Sequence, residues 1–473
     1  MEAERLYRAV ASRDRRFEGR FVVAVTSTGI YCRPGCPAKI PLRKNVRFFH
    51  HPAAAEAAGF RACARCRPDA ALWSGTSATV SRALQLIDAT GLADEKVGQL
   101  SERLGVGERH LRRLFAVHVG TSPQKVAQTR RAHFARQLID ETELPLAEIA
   151  FAAGFGSVRR FNAAIRRAFQ RTPTELRARG RAPGEPGALT LKLPFRAPYA
   201  WTPLLEFLAP RAIPGVEAIV GSGAGAVYRR TTGDGGVVAV RAGEQALFAT
   251  LRVPPLRGLR DTVARIRRLF DVAADPSAIG AALARDPSLR PAVRACPGRR
   301  VPGGWDGLEL AIRAILGQQI SVARATQLAG KLVCAWGTPL AQPDGPLTHI
   351  FPTARVLAEA GGDAIAKRVG MPRVRGAAIA ALARAVADGN LALDGSLSLE
   401  ALVERLCALP GIGQWTAQYL GLRLGEPDAF PAGDLWLRRA LDADEQSLIA
   451  RAEAWRPFRA YGAMHLWQSE VFR

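Results

Sequence analysis

Apolar residues recur every three or four positions through residues 77–176, the period of helices that bury one stripe. Residues 97–105 (VGQLSERLG) and Glu108–His118 read as two helices joined by a turn at Gly105 and Gly107. The pattern then returns: 145–154 (PLAEIAFAAG) is predicted helical, 155–157 turns, and 157–169 (SVRRFNAAIRRAF) follows as a helix. Upstream, 20–26 (RFVVAVT) reads as a strand and 53–58 as a short helix stopped by Gly59, with a hinge at 74–77. The stretch 177–187 (RARGRAPGEPG) has the composition of a linker. Beyond it, 189–195, 237–240 and 246–253 read as strands, and glycine-rich turns between them predict a small antiparallel sheet. From about Gly258 the chain reads as helical to its end, broken by Pro/Gly loops near 297–304 and 336–346.

Composition narrows the function. The 473 residues are 48% hydrophobic, enough for packed cores, yet no apolar run reaches the ~18 residues that a membrane span needs. The net charge of +24 is spread along the chain: +8 over residues 1–75, +7 over 76–186 and +9 over the remainder. A polyanionic partner, most simply nucleic acid, follows, and no basic tail alone accounts for it. The plainer alternative is an arginine-rich composition with solvated surfaces.

Four of the seven cysteines stand as Cys32-x3-Cys36 and Cys63-x2-Cys66 in a basic stretch; Cys296, Cys334 and Cys407 are scattered among apolar residues. Two close pairs separated by a loop suit a tetrahedral four-cysteine zinc site. A disulfide pair competes, but the opening MEAERLYRAVASRDRRFEG lacks the apolar region of a secretory leader, which points to the cytoplasm.

The helical repeat is informative because each copy has a glycine turn and a basic second helix. Such a tandem pair can lay two helices in successive major-groove segments. Arg109, Arg112, Arg159 and Arg160 lie away from the stripes Leu111, Leu114, Phe115 and Phe161, Ile165, Phe169, and are the candidates to reach bases or phosphates. Residues 80–176, and above all GFGSVRRFNAAIRRAFQRTPTELR, resemble the AraC-type transcriptional regulators.

The segments GIYCRPGCP (29–37), NVRFF (45–49) and AGFRACARCRP (58–68) resemble the zinc domain of the Ada family. The resemblance implies that Cys32 accepts a methyl group from a DNA methylphosphotriester, with zinc held by Cys32, Cys36, Cys63 and Cys66. A purely structural zinc is the plainer alternative.

In the carboxy-terminal half, LPGIGQWTA (409–417) reads as a hairpin between two helices. Gly411 and Gly413 would let backbone N–H groups approach a phosphate. With Asp434 following in FPAGDLWL (430–437), residues 188–473 resemble the helix-hairpin-helix base-excision glycosylases, most nearly the AlkA-like 3-methyladenine DNA glycosylases II. The resemblance implies that Asp434 is the catalytic carboxylate, that Trp415, Tyr419, Trp467 and Gln318 line the base pocket, and that Gln319 lies where the family fills the gap left by a flipped base. Gln319 is polar where an apolar wedge could stand. Trp415 occupies the position of the Schiff-base lysine of strand-cleaving relatives, so β-lyase activity is expected to be missing. Gly433 stands where a second acid could precede Asp434, which should leave Asp434 the only carboxylate at this spot. The sequence has no Pro-Cys-His-Arg motif of an O6-alkylguanine methyltransferase, and no four-cysteine cluster follows Asp434.

The expected protein is multidomain and mainly α with small α+β parts. Its domains are an Ada-like zinc domain (1–75), a tandem helix-turn-helix domain (77–176), a linker (177–187), an AlkA-like α+β domain with a small antiparallel sheet (188–300) and a helix-hairpin-helix glycosylase domain (301–473). The expected function couples a damage sensor and regulator to a monofunctional alkylpurine glycosylase. The expected partners are double-stranded DNA and RNA polymerase, and the expected state is a monomer in the nucleoid. The rival reading is a regulator whose glycosylase half only docks on DNA.

Overall fold

The computed structural model describes residues 2–14, 17, 19–63, 65–66, 68, 77–92, 97–177, 188–252 and 258–470. The hinge expected at 74–77, apart from Ser77, and the linker expected at 177–187, apart from Arg177, lie outside the described residues. The chain divides into two units, residues 1–194 with 255–264, and residues 195–254 with 265–473.

In the first unit, a four-stranded sheet runs in the order Val46–Phe49, Val22–Val25, Ile30–Cys32, Arg61–Ala62. Strand alternation sorts its side chains: Phe21 and Val23 pack with Ala9 and Val10 on one face, while Val22, Ala24 and Tyr31 pack with Ala55 on the other. The helix Glu2–Ala11 and the strands Ile30–Cys32, Val46–Phe49 and Arg61–Ala62 were not evident in the sequence pattern. The predicted helix at 53–58 forms as Pro52–Ala57, and Gly59 beyond it adopts the left-handed φ of +89°.

The helical part follows the apolar period. Helices Ala78–Thr90, Val97–Arg103, Glu108–His118, Pro123–Glu141, Leu146–Ala152 and Val158–Phe169 surround buried Leu111, Phe115, Phe161 and Ile165. Serines start three of them: the hydroxyls of Ser77, Ser122 and Ser157 accept from the N–H groups of Val80, Lys125 and Arg160. In the first repeat Gly105 makes the left-handed turn (φ +66°), as expected. In the second it is Gly154 (φ +85°), one residue before the predicted turn.

In the second unit the helix Trp201–Leu208 is followed by an antiparallel meander of Glu217–Val220, Val227–Thr231, Val237–Ala242 and Ala246–Arg252. Helices follow, packed around a large core that includes Ile312, Leu332, Ile379, Leu402 and Leu420. One expected loop is corrected: residues 336–346 are not irregular but contribute to a β-hairpin of Thr338–Asp344 and Leu347–Ile350.

Candidate active site and metal centre

Helices Leu399–Cys407 and Gln414–Arg423 are joined by the glycine hairpin. Gly411 has φ +78°, and a Cβ there would lie 3.1 Å from the Cβ of Ala378. Only glycine meets both demands easily. Gly413 caps the second helix with nothing within 4 Å of the place of a Cβ, so the helix N-terminus stays open to a phosphate.

Asp434 is the N-cap of the short helix Leu435–Ala440 and is 8% exposed. Its Oδ1 accepts from the N–H groups of Trp436 (3.0 Å) and Leu437 (3.2 Å) and from the indole of Trp467 (2.9 Å). Its Oδ2 accepts from the indole of Trp415 (2.9 Å). A carboxylate has about four acceptor directions. Among the described residues Oδ1 is therefore crowded, while Oδ2 keeps a free acceptor direction. The residues that aim the acid are the same aromatics expected to form the pocket. The Trp415 and Tyr419 rings stack at 5.3 Å and 6°, and Trp467 stands edgewise to Tyr419 at 6.1 Å. An indole that donates to a carboxylate gains electron density, which strengthens its attraction for a cation.

Tyr419 differs from the tryptophans. Arg423 Nη1 donates to its hydroxyl at 2.7 Å, and Arg423 also lies 5.7 Å from the ring centre. Burial raises the phenol pKa, but Arg423, Arg211 and Arg313 outweigh it and hold the group below its ordinary value. These guanidinium groups make the surroundings of Tyr419 electropositive. The arginines were not legible as site residues, because their sequence neighbourhoods carry no shared motif.

Gln318, expected in the pocket, donates its amide to the hairpin, to Gly411 O (2.9 Å) and Thr416 Oγ1 (3.2 Å). Gln319 beside it is exposed and has φ +57°. Glu445, from the next helix Glu445–Ala452, brings its oxygens to 3.5 and 3.6 Å from where a Cβ on Gly433 would stand.

The metal centre is built by strand pairing. Ile30–Cys32 runs parallel to Arg61–Ala62, and Cys63 N donates to Tyr31 O at 3.0 Å, so Cys32 and Cys63 leave adjacent strands side by side. A turn returns Cys36, whose N–H meets Arg33 O at 3.1 Å. The four sulfur atoms lie within 4.8 Å of one another. Zinc–sulfur bonds of ~2.3 Å put tetrahedral sulfurs ~3.8 Å apart, so the set fits zinc. The thiols alone are mutually frustrated: a hydrogen bond to Cys66, burial and neighbouring thiolates push Cys32 far up, while the Cys32 hydrogen bond first among several brings Cys66 down to about 6. Only a cation satisfies all four as thiolates. Cys36, Cys63 and Cys66 are buried, and Cys32 is the more exposed ligand.

In the helical repeats Arg109, Arg112, Arg159 and Arg160 are exposed on helices Glu108–His118 and Val158–Phe169, opposite the buried stripes. Arg112 is ion-paired to Glu108 within its own helix.

A glycine hairpin facing an aromatic-held carboxylate, in a chain that also carries a four-thiolate centre and paired helix-turn-helix units, defines a class: DNA-repair glycosylase folds joined to a regulator. Four family models match, namely metal binding domain of Ada (residues 5–69), helix-turn-helix domain (100–179), AlkA N-terminal domain (190–306) and HhH-GPD superfamily base excision DNA repair protein (312–447). The chain is 44% identical to a probable bifunctional transcriptional activator/DNA repair enzyme AlkA of Mycobacterium tuberculosis, over 98% of this chain and 96% of that protein. It is 35% identical to DNA-3-methyladenine glycosylase 2 of Escherichia coli, over 59% of this chain and 96% of that protein. The solved 3-methyladenine DNA-glycosylase of Archaeoglobus fulgidus shares the fold, with a TM-score of 0.52 and 22% identity over 59% of this chain and 98% of that one. The chain belongs to the family of bifunctional transcriptional activator/DNA repair enzymes that pair an Ada-type zinc and helix-turn-helix region with an AlkA-type glycosylase region. Among the described residues no helix is long and apolar enough to cross a membrane.

Proposed function

We propose that this protein answers alkylation damage with two chemistries and one regulatory output. Its glycosylase half hydrolyses the N-glycosidic bond of alkylated purines of the 3-methyladenine type in duplex DNA. The observation that carries this reading is the Asp434 carboxylate, fixed by four N–H donors with one edge of Oδ2 open beside Trp415 and Trp467. Alkylation makes the purine cationic and a good leaving group. As the bond from C1′ to the base breaks, Asp434 stabilises the oxocarbenium sugar and Oδ2 orients the attacking water. The products are a free base and an uncut abasic strand, because Trp415 offers no amine for a Schiff base.

Zinc, when held by Cys32, Cys36, Cys63 and Cys66, keeps these thiols deprotonated at neutral pH. Cys32 then accepts methyl from a phosphotriester: its sulfur forms the new S–C bond as the C–O bond breaks and a phosphodiester anion leaves. The cluster loses one negative charge, and its affinity for DNA rises. Arg109, Arg112, Arg159 and Arg160 carry promoter binding. The domains follow the partition 1–75, 77–176, 188–300 and 301–473 around the 177–187 linker. The protein acts as a cytoplasmic, nucleoid-associated monomer that engages RNA polymerase at its promoters.

The test is release of 3-methyladenine from methylated duplex DNA. Asp434→Asn should lower it by orders of magnitude while duplex affinity stays within a few-fold. No release by the zinc-loaded wild type would leave a regulator with a DNA-docking half.

A further inference from the structure

The loop between helices Gly307–Leu316 and Val322–Trp336 is held at every residue but one. Ile320 packs against the core, and Ser321 caps the second helix through Arg324 N (3.2 Å). The Gln318 side chain is bound to the hairpin at Gly411 O and Thr416 Oγ1. Its carbonyl oxygen accepts from Arg375 Nη2 at 2.7 Å, across 57 residues of sequence. Between these anchors Gln319 is exposed and left-handed, a conformation that a non-glycine side chain rarely keeps unless its surroundings impose it. Arg375 lies in the first turn of helix Arg373–Ala387, where its own N–H meets Pro372 O at 3.0 Å, so the clamp stands on a rigid element.

We propose that Arg375 is a positioning residue for base extrusion: by holding Gln318 O it keeps Gln319 left-handed, aimed at the space that a flipped purine vacates. This rests on the glycosylase reading above. Gln319 is not an apolar plug and gains little from burial alone, so it can fill a gap in the duplex only if it is already aimed there. Pre-organisation by Arg375 replaces hydrophobic driving force.

The test is single-turnover release of 3-methyladenine by the full-length, zinc-loaded protein from two substrates. In one the lesion is paired; in the other it faces an abasic site, where no partner base resists extrusion. Arg375→Ala is expected to slow the paired substrate at least tenfold and the unpaired one less than twofold. Gln319→Ala should behave alike, and the double variant should be no slower than either. Equal slowing on both substrates, or losses that multiply in the double variant, would overturn the proposal. So would a fall in duplex affinity with the salt slope reduced by about one, which marks a phosphate contact instead. A paired-substrate rate unchanged by Gln319→Ala sinks the wedge and the clamp together but leaves the glycosylase standing. A wild type inert on both substrates sinks the glycosylase reading itself.

Discussion

Glu56 and His133, 77 residues apart, meet at 2.6 Å between Oε1 and Nε2, and the same carboxylate accepts from Tyr31 Oη (2.7 Å) and Thr129 Oγ1 (2.8 Å). Tyr31 precedes the zinc ligand Cys32, whereas Thr129 and His133 belong to the longest helix of the helix-turn-helix region. One half-buried acid thus ties the metal-bearing sheet to the DNA-binding helices.

Replacing Glu56 should be costly. Burial alone would raise its pKa, but His133, Tyr31 and Thr129 hold it below its ordinary value. A depressed carboxylate contributes stability that is present above its unfolded pKa and lost as pH falls through the folded one. Glu56→Ala should destabilise the zinc-loaded protein by about 2 kcal/mol at pH 7, the scale for leaving part-buried hydrogen-bond donors without their acceptor. The difference from wild type should shrink below about pH 4. Denaturant melts across pH check both.

The indole donors on Asp434 can be removed without removing the rings. Trp467→Phe and Trp415→Phe should each slow excision about tenfold, the equivalent of one charge-assisted hydrogen bond. Trp415→Phe removes the one donor to Oδ2 and should cost more than Trp467→Phe, whose loss falls on the crowded Oδ1. Single-turnover rates of the two variants separate them.

Asp271 carries the opposite linkage from Glu56. Burial raises its carboxyl to about 6 despite Arg300 and the donors Val301 N and Tyr461 Oη. Between about pH 4 and 6 the folded protein binds more protons than the unfolded chain, so this group's contribution falls as pH rises through that window. Asp271→Asn should therefore stabilise the protein at pH 8, by about 1–3 kcal/mol, and lose the advantage at pH 4. Asn also tolerates the left-handed φ of +46° at this position. Thermal melts at the two pH values test the crossover.

Gly433 faces the Glu445 carboxylate. Gly433→Asp should place two like charges together and slow excision several-fold, and Glu445→Gln should restore most of the rate in that background. Equal rates in the wild type and both variants would show that the charges do not interact.

What was legible in the sequence is what is local. The cysteine spacing, the glycine turn of each repeat and the Gly411–Gly413 hairpin are fixed by residues within a few positions of one another. Glu56, Arg375, Arg423 and Glu445 escaped notice because their partners come from distant segments and no short spacing announces them. The hairpin at 338–350 was missed for another reason. Its first strand, TPLAQPD, contains two prolines and a register shift, so it has no clean alternation.

Asp434 both accepts from the indoles of Trp415 and Trp467 and starts a helix. Selection for folding alone would favour a capping residue here, with Asp and Asn about equally good. A lineage released from catalysis would drift first to Asn, one base change away, and its helix would hardly register the difference. The acid at this position therefore reports ancestry and fold as well as chemistry, and a relative bearing Asn in its place would keep the shape of a glycosylase after the reaction had gone.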